Sequence, residues 1–165
     1  MENGRRNMGV MTRITHAAEV VRLENPLNVP IVQVSLYANE DADAHYRLGQ
    51  ILESLRDEGI LIIGAGMAVR NTADYRATKA TDQGMPYTVT FEKALTETIT
   101  AKPAERQAKM DALLKRHDTR DVHPIFNHLL PTHIAAGAAG LDVGKKLWDL
   151  PEGGINWAQY RFGTV

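Results

Sequence analysis

The sequence predicts an α/β fold, a central and mostly parallel sheet flanked by helices. Two apolar runs and the helix between them predict it. Ile60 to Ile63 are four consecutive apolar residues, with the branched-chain content of a buried strand. Ile31-Val-Gln-Val-Ser-Leu36 is a second strand, entered through Pro30. Between them Leu48, Ile51, Leu52 and Leu55 recur at i, i+3, i+4 and i+7, a narrow apolar stripe that would face a sheet. Strand, helix and strand over about 30 residues make a βαβ unit, whose two strands run parallel with a right-handed crossover.

Residues 1–13 show no period and read as a frayed terminus. Ile14, Ala17, Ala18 and Val21 fall at helical spacing, so a short helix is expected to run to about Leu23, where Asn25-Pro26 stops it. Residues 1–24 are therefore expected to be a poorly ordered or short-helical segment, and residues 25–165 the domain proper.

Asn39-Glu-Asp-Ala-Asp supplies capping and acidic residues for the first domain helix, and Gly59 ends it. Gly64-Ala65-Gly66 then lets the backbone turn sharply as it leaves the second strand. Ligands of open α/β sheets bind beyond the carboxyl ends of the strands, which places Arg70 and Asn71 over the expected pocket. Residues 72–84 are polar and read as a surface loop above it. Tyr87, Phe91, Leu95 and Thr98/Ile99 mark a helix whose Glu92, Lys93 and Glu97 face outward. Pro103 begins another, with Met110, Leu113 and Leu114 inside. Residues 117–127 form an irregular connection. Leu129, Leu130, Ile134 and the small residues from Ala135 to Gly140 predict a helix able to approach another backbone closely. Trp157 to Phe162 reads as a last strand, with Trp157 and Phe162 in the core.

The composition closes several routes. A chain of 165 residues, 44% hydrophobic and 24% charged, suits one globular domain. A net charge of −1 invites neither nucleic acid nor an anionic membrane surface, and no apolar run approaches the length of a membrane span. Cytoplasm is the expected location. With no cysteine there are no disulfides, thiolate ligands or cysteine nucleophiles.

Gly64-x-Gly66 lacks the third small residue of a dinucleotide-binding turn, since position 69 is Val, and Gly-Lys-Ser/Thr of a P-loop is absent. Ser35 is in no nucleophile elbow, which leaves a hydrolase triad without its serine. With six histidines, any metal site must be built from imidazole and carboxylate. His123-Pro-Ile-Phe-Asn-His128-Leu-Leu-Pro131-Thr-His133 is the densest cluster. His128 and His133, five apart, do not share a helix face, but His128 and His123 are able to converge on a metal or substrate. Ordinary helix-start histidines are the alternative. His16, His45 and His117 lie in charged contexts and are expected to be solvated. Arg70 can pair with an anionic ligand or with a surface carboxylate, but cannot act as a base near neutral pH.

Several stretches also share a pattern: Asn25-Pro-Leu-Asn-Val-Pro-Ile-Val-Gln-Val-Ser-Leu36, His45-Tyr-Arg-Leu-Gly49, Leu55-Arg-Asp-Glu-Gly-Ile-Leu-Ile-Ile-Gly-Ala-Gly66, His123-Pro-x-x-x-His128-Leu-Leu-Pro131 and Trp157-Ala-Gln-Tyr-Arg-Phe-Gly163. Together, over roughly residues 25–163, they resemble the class III extradiol ring-cleavage dioxygenases of the LigB-like superfamily, specifically the DOPA 4,5-dioxygenase type. The resemblance implies a single α/β domain with non-haem Fe(II) or zinc. It also implies a catechol-type substrate, whose ring opens with insertion of both atoms of O₂. It implies that His128 is the late metal-site histidine, that His123 and Asn71 lie on the substrate side, and that Arg70 stands where the family has a histidine for acid/base or metal-site chemistry.

Two departures accompany it. The family chain is longer at its N-terminus and carries there an early histidine and a His-Gly-type motif; nothing in residues 1–24 resembles either. Arg70 sets a fixed positive charge where a cation belongs, a repulsion of several kcal/mol at about 4 Å. The expectation is a carboxy-terminal portion, truncated and catalytically impaired. The alternative is a non-catalytic binding or interaction protein that self-associates or pairs with a chain supplying the missing half.

Overall fold

A computed structural model describes residues 30–78 and 83–164. The expected N-terminal helix around Ile14 and the segment 1–24 lie outside the described residues. The chain divides into two units, Met1–Ala38 and Asn39–Val165. In the first, residues 30–36 form no strand, and Ile31, Val32 and Val34 are exposed. The strand expected at 31–36 has no ladder partner among the described residues, and an unpaired strand is not stable alone.

The second unit mixes helices and short strands. Helix α1, Ala42–Leu52, starts where the Asp41 carboxylate accepts the Ala44 N–H (3.0 Å). It continues as a 3₁₀ turn, Glu53–Glu58, and stops at Gly59, whose φ of 77° suits glycine. The buried face is not the leucine stripe but Ala42, His45, Tyr46 and Gly49, while Ile51 is 72% exposed. The cause is the crossing with helix α6, Leu130–Ala138. Gly49 and Gly137 meet there, and a Cβ added to either would lie 2.0 Å from a carbonyl oxygen, Ile134 O or Tyr46 O. Contact between backbones decides which face turns in.

Residues 60–66 correct a second expectation. They form no strand, and Ile60, Leu61 and Ile63 are exposed. Gly64 and Gly66 are needed for closeness rather than for a turn, since neither has a positive φ. Added Cβ atoms would sit 2.4 Å from Pro131 O and 2.1 Å from His128 O. The segment is tied to the start of α6 through Met67 N–H donating to His128 O (2.9 Å).

Pairing begins at β1, Val69–Arg70. After it come α2 (Thr72–Ala77), α3 (Pro86–Ile99), α4 (Pro103–Leu114), α5 (Thr119–Val122) and a 3₁₀ turn, Phe126–His128, that leads into α6. Four strands close the chain: β2 (Gly144–Trp148), β3 (Pro151–Glu152), β4 (Ile155–Asn156) and β5 (Gln159–Phe162). One sheet has the order β1-β4-β3 and the other pairs β2 with β5. Every ladder among the described residues is antiparallel, and parallel pairing is limited to a bridge between Gly84 and Gly153. The described residues thus hold no parallel central sheet, because the two runs expected to build it, 31–36 and 60–63, are unpaired.

Prolines stand in the first turns of α3 and α4, and the start of α4 at Pro103 is the one the sequence predicts. Phe91, Leu95 and Ile99 of α3 pack with Val69, Leu113, Val122 and Leu129 into the main core. Three expectations fail around this core. Residues 72–77 are helical rather than a loop. Glu92 is buried, its carboxylate accepting Thr96 Oγ1 (2.5 Å) and Tyr160 O–H (3.0 Å) and paired with Lys146 Nζ (3.1 Å). Trp157 is half-exposed, its Nε1–H donating to Glu152 Oε2 (2.6 Å), while Phe162 packs beneath the buried Arg106 guanidinium (5.0 Å). Among the described residues no helix is long and apolar enough to cross a membrane.

Candidate functional site

The site forms at the end of β1, where the main core meets the 3₁₀ turn before α6. Ala68 and Val69 are buried, and β4 holds the strand in register, Val69 opposite Asn156 and Arg70 opposite Ile155. Arg70 is half-buried and belongs to no ion pair among the described residues.

Asn71 leaves the strand as the cap of α2. Its Oδ1 accepts from Ala73 N–H and Asp74 N–H (both 3.1 Å). Its Nδ2 donates to Asp121 O (2.8 Å) and Asp74 Oδ2 (3.1 Å), and its own N–H to Gly154 O (2.8 Å). The amide is thus occupied in starting a helix and joining it to α5. Asp74 also accepts Tyr87 O–H (2.6 Å), and burial together with that carboxylate raises the tyrosine pKa.

His123 is fully buried. Its Nε2 lies 2.9 Å from Ala68 O, so that nitrogen carries the proton and Nδ1 is left with a lone pair. Nδ1 has no partner and is closed off from solvent. The Phe91 ring stands edge-on, 5.5 Å between centroids. Burial pushes His123 down to about 4, and positive charge at His128 and Arg70 acts in the same direction. His128, half-buried, closes the 3₁₀ turn, and burial with the Arg70 charge lowers its pKa too. The histidine positions are tied to the residues just before Arg70, His123 Nε2 to Ala68 O (2.9 Å) and His128 O to Met67 N–H (2.9 Å). Asn71 is adjacent in sequence but engaged elsewhere.

The remaining histidines separate. His133 is in the core, Nε2 3.1 Å from Met110 O and Nδ1 3.4 Å from Leu129 O, and burial pushes it to about 4. His45 is buried rather than solvated, because it falls on the inward small-residue face of α1, with Nδ1 2.6 Å from Asp41 O. His117 is exposed as expected, and His16 lies outside the described residues.

A metal does not fit what is described. Among the described residues no three histidine, aspartate or glutamate side chains converge as a ligand set. Of the two imidazoles near Arg70, His123 points Nε2–H at a carbonyl and has Nδ1 walled in, which leaves His128 as the open donor. A fixed guanidinium charge stands beside it. The Fe(II) or zinc implied by the resemblance has no complete cradle in these residues.

A feature not anticipated is a cavity of about 920 Å³ between residues 59–68, α6 and β5. Beside it stand the exposed Ile60, Leu61 and Ile63 of the apolar run bounded by glycines.

Extradiol dioxygenases are the class of protein to which the chain is similar. It is 34% identical over 144 residues to 4,5-DOPA dioxygenase extradiol of Beta vulgaris, covering 84% of this chain and 51% of that protein. The protein of the same name from Portulaca grandiflora is 28% identical over 142 residues, covering 84% and 51%. A 4,5-DOPA dioxygenase extradiol-like protein of Schizosaccharomyces pombe is 30% identical over 127 residues, covering 75% and 41%. The chain spans about half the length of the curated relatives it matches. No family model matches. The crystal structure of an uncharacterized protein from Escherichia coli superposes with a TM-score of 0.75 at 22% identity, covering 87% of this chain and 59% of that one, which is a likeness of fold.

Proposed function

We propose that this chain carries the later part of an extradiol ring-cleavage dioxygenase-like domain and is impaired in catalysis on its own. In this reading His128 is a metal-site imidazole, His123 and Asn71 border a catechol-type substrate, and Arg70 occupies the place of the proton-handling histidine. The observation that supports it is that the His123 ring bonds Ala68 O (2.9 Å) and the His128 carbonyl accepts Met67 N–H (2.9 Å), which ties both histidine positions to the entry of the strand that carries Arg70. The similarity to extradiol enzymes over 84% of the chain supports it. Ring opening needs a side chain that takes up and returns a proton near neutral pH. A guanidinium stays protonated throughout that range, so Arg70 does not fill the role. Iron or zinc would need donors beyond those described. The same reading gives residues 60–63 a place as a strand of a central parallel sheet in a complete domain.

The test is imidazole NMR during a catechol titration. The expected result is a saturable shift of the His128 and His123 resonances, with His117 unmoved. Shifts confined to other histidines, or none at millimolar catechol, would overturn the placement.

An interaction role is a second reading, favoured by the exposed Ile60, Leu61 and Ile63 beside the cavity. Such a face suits a second copy or a chain that supplies the missing half. Sedimentation velocity decides between an assembly that dissociates on dilution and a monomer at every concentration, and the monomer would exclude self-association.

A further inference from the structure

We infer that Glu40 is a positioning residue for His128, fixing the turn that presents its imidazole. The inference goes beyond the reading above and, for its effect on a ligand, rests on the role which that reading gives His128.

His128 ends a 3₁₀ turn of three residues, Phe126–His128, with Leu129 N–H donating to Phe126 O (2.9 Å). So short a turn holds its shape poorly by itself, and it is fastened from outside at both ends. At its far end His128 O accepts Met67 N–H (2.9 Å). At its near end Phe126 N–H donates to Glu40 Oε1 (2.9 Å), a carboxylate 86 residues away in sequence.

The second carboxylate oxygen, Glu40 Oε2, accepts from Arg120 Nη2 of α5 (2.7 Å). That guanidinium lies over the buried Phe126 ring, 3.7 Å from its centroid, and Nη1 donates to Pro124 O (3.4 Å). One ion pair therefore grips Phe126 twice, the carboxylate by its backbone and the guanidinium by its ring. Both side chains of the pair are exposed, and an ion pair so open to water adds little to global stability. Its effect is local: it ties the residue before the cap of α1 to the turn before α6. Between the two fastened ends the turn carries one imidazole, the half-buried His128.

The experiment is NMR on the full chain with labelled histidine, comparing the parent with Glu40→Ala and Glu40→Gln. Lys109→Ala, which breaks the exposed pair with Glu105 on α4, is the control. In Glu40→Ala the His128 ring resonances should move, with His117 unmoved. Amide exchange at Phe126 should quicken about tenfold or more, as loss of a hydrogen bond to a charged acceptor dictates. Glu40→Gln keeps a side-chain oxygen for Phe126 N–H and should restore most of the protection and the His128 signal. Melting temperatures of all the variants should stay close to that of the parent. Catechol titrated into Glu40→Ala should bind about tenfold more weakly at His128, since the competent geometry must be selected from a looser turn. Unchanged His128 resonances in Glu40→Ala, the same changes in Lys109→Ala, or no recovery in Glu40→Gln would overturn the inference. So would a collapse of the melting temperature in Glu40→Ala, which would give Glu40 a global role, or equal catechol affinity in that variant and the parent. If catechol leaves the parent's His128 unmoved while the Glu40 effects on that ring hold, the dioxygenase reading falls and the positioning role stands.

Discussion

Acid should unfold this protein earlier than its carboxylates alone would dictate, because two histidines are buried in their neutral form. His123 and His133 are both held at about 4, against an ordinary value near 6.5. Burial explains it: at His133 the Met110 and Leu129 carbonyls and the Asp111 charge oppose the shift, at His123 the Ala68 carbonyl opposes it, and burial outweighs them in both. Between those two values the unfolded chain binds protons that the folded chain refuses. The stability from neutral burial is therefore complete above about pH 6.5 and is lost as pH falls toward about 4. Each histidine contributes a slope of about 1.4 kcal/mol per pH unit in the middle of that window, and about 3 kcal/mol across it. Together they should lower the melting temperature by roughly 5–10 °C per pH unit in a chain of this size. Glu40 and Asp118, whose pKa values are lowered by the arginines that bond them, act in the same direction but only below the ordinary carboxylate range. The interval from pH 6.5 to 5 therefore isolates the histidines. Urea unfolding at a series of pH values measures the slope, and His133→Gln, which keeps an N–H for Met110 O, should remove the His133 share and leave those of His123 and His128. Stability that stays level over that interval would refute the reasoning.

Other substitutions test the framework. Gly49→Ala places a Cβ 2.0 Å from Ile134 O at the α1–α6 crossing, and should cost about 3 kcal/mol or more in urea unfolding, since backbone must move. Asn71→Ala removes the cap of a six-residue helix and the tie to Asp121 O, and should cost about 1–2 kcal/mol. Hydrogen exchange should locate that loss in α2. Arg106→Met leaves the carbonyls of Gly140 and Asp142 without their buried donor, and should lower stability by about 2–3 kcal/mol. A melting curve unchanged from the parent would show that water replaces the guanidinium.

The helices were legible where the sequence carries punctuation as well as period. Pro86 and Pro103 open helices whose apolar residues recur faithfully, and Gly59 closes one. The face of α1 was not legible, because the leucine stripe competes with a glycine contact whose other half, Gly137, lies far along the chain. Three of the strands are two residues long, too short for any alternation to register, and residues 60–63 have the composition of a strand without the neighbours that would make one. At the site, residue type led to Arg70, His123 and His128, and the segments that hold the two histidines hydrogen-bond to residues 67 and 68, just before Arg70. The sequence did not reveal that His45 faces inward, nor that the Asn71 amide caps α2. Charged flanking residues do not reveal that a histidine faces inward.

The central claim is that these residues hold part of an extradiol-type site and lack the means to run its reaction. Anaerobic loading with Fe(II), followed by oxygen uptake with a panel of catechols, tests it most directly, with Arg70→His measured alongside. The account predicts substoichiometric iron and no uptake above the protein-free blank for the parent chain. Stoichiometric iron, catechol-dependent oxygen consumption and a yellow ring-fission product would contradict it.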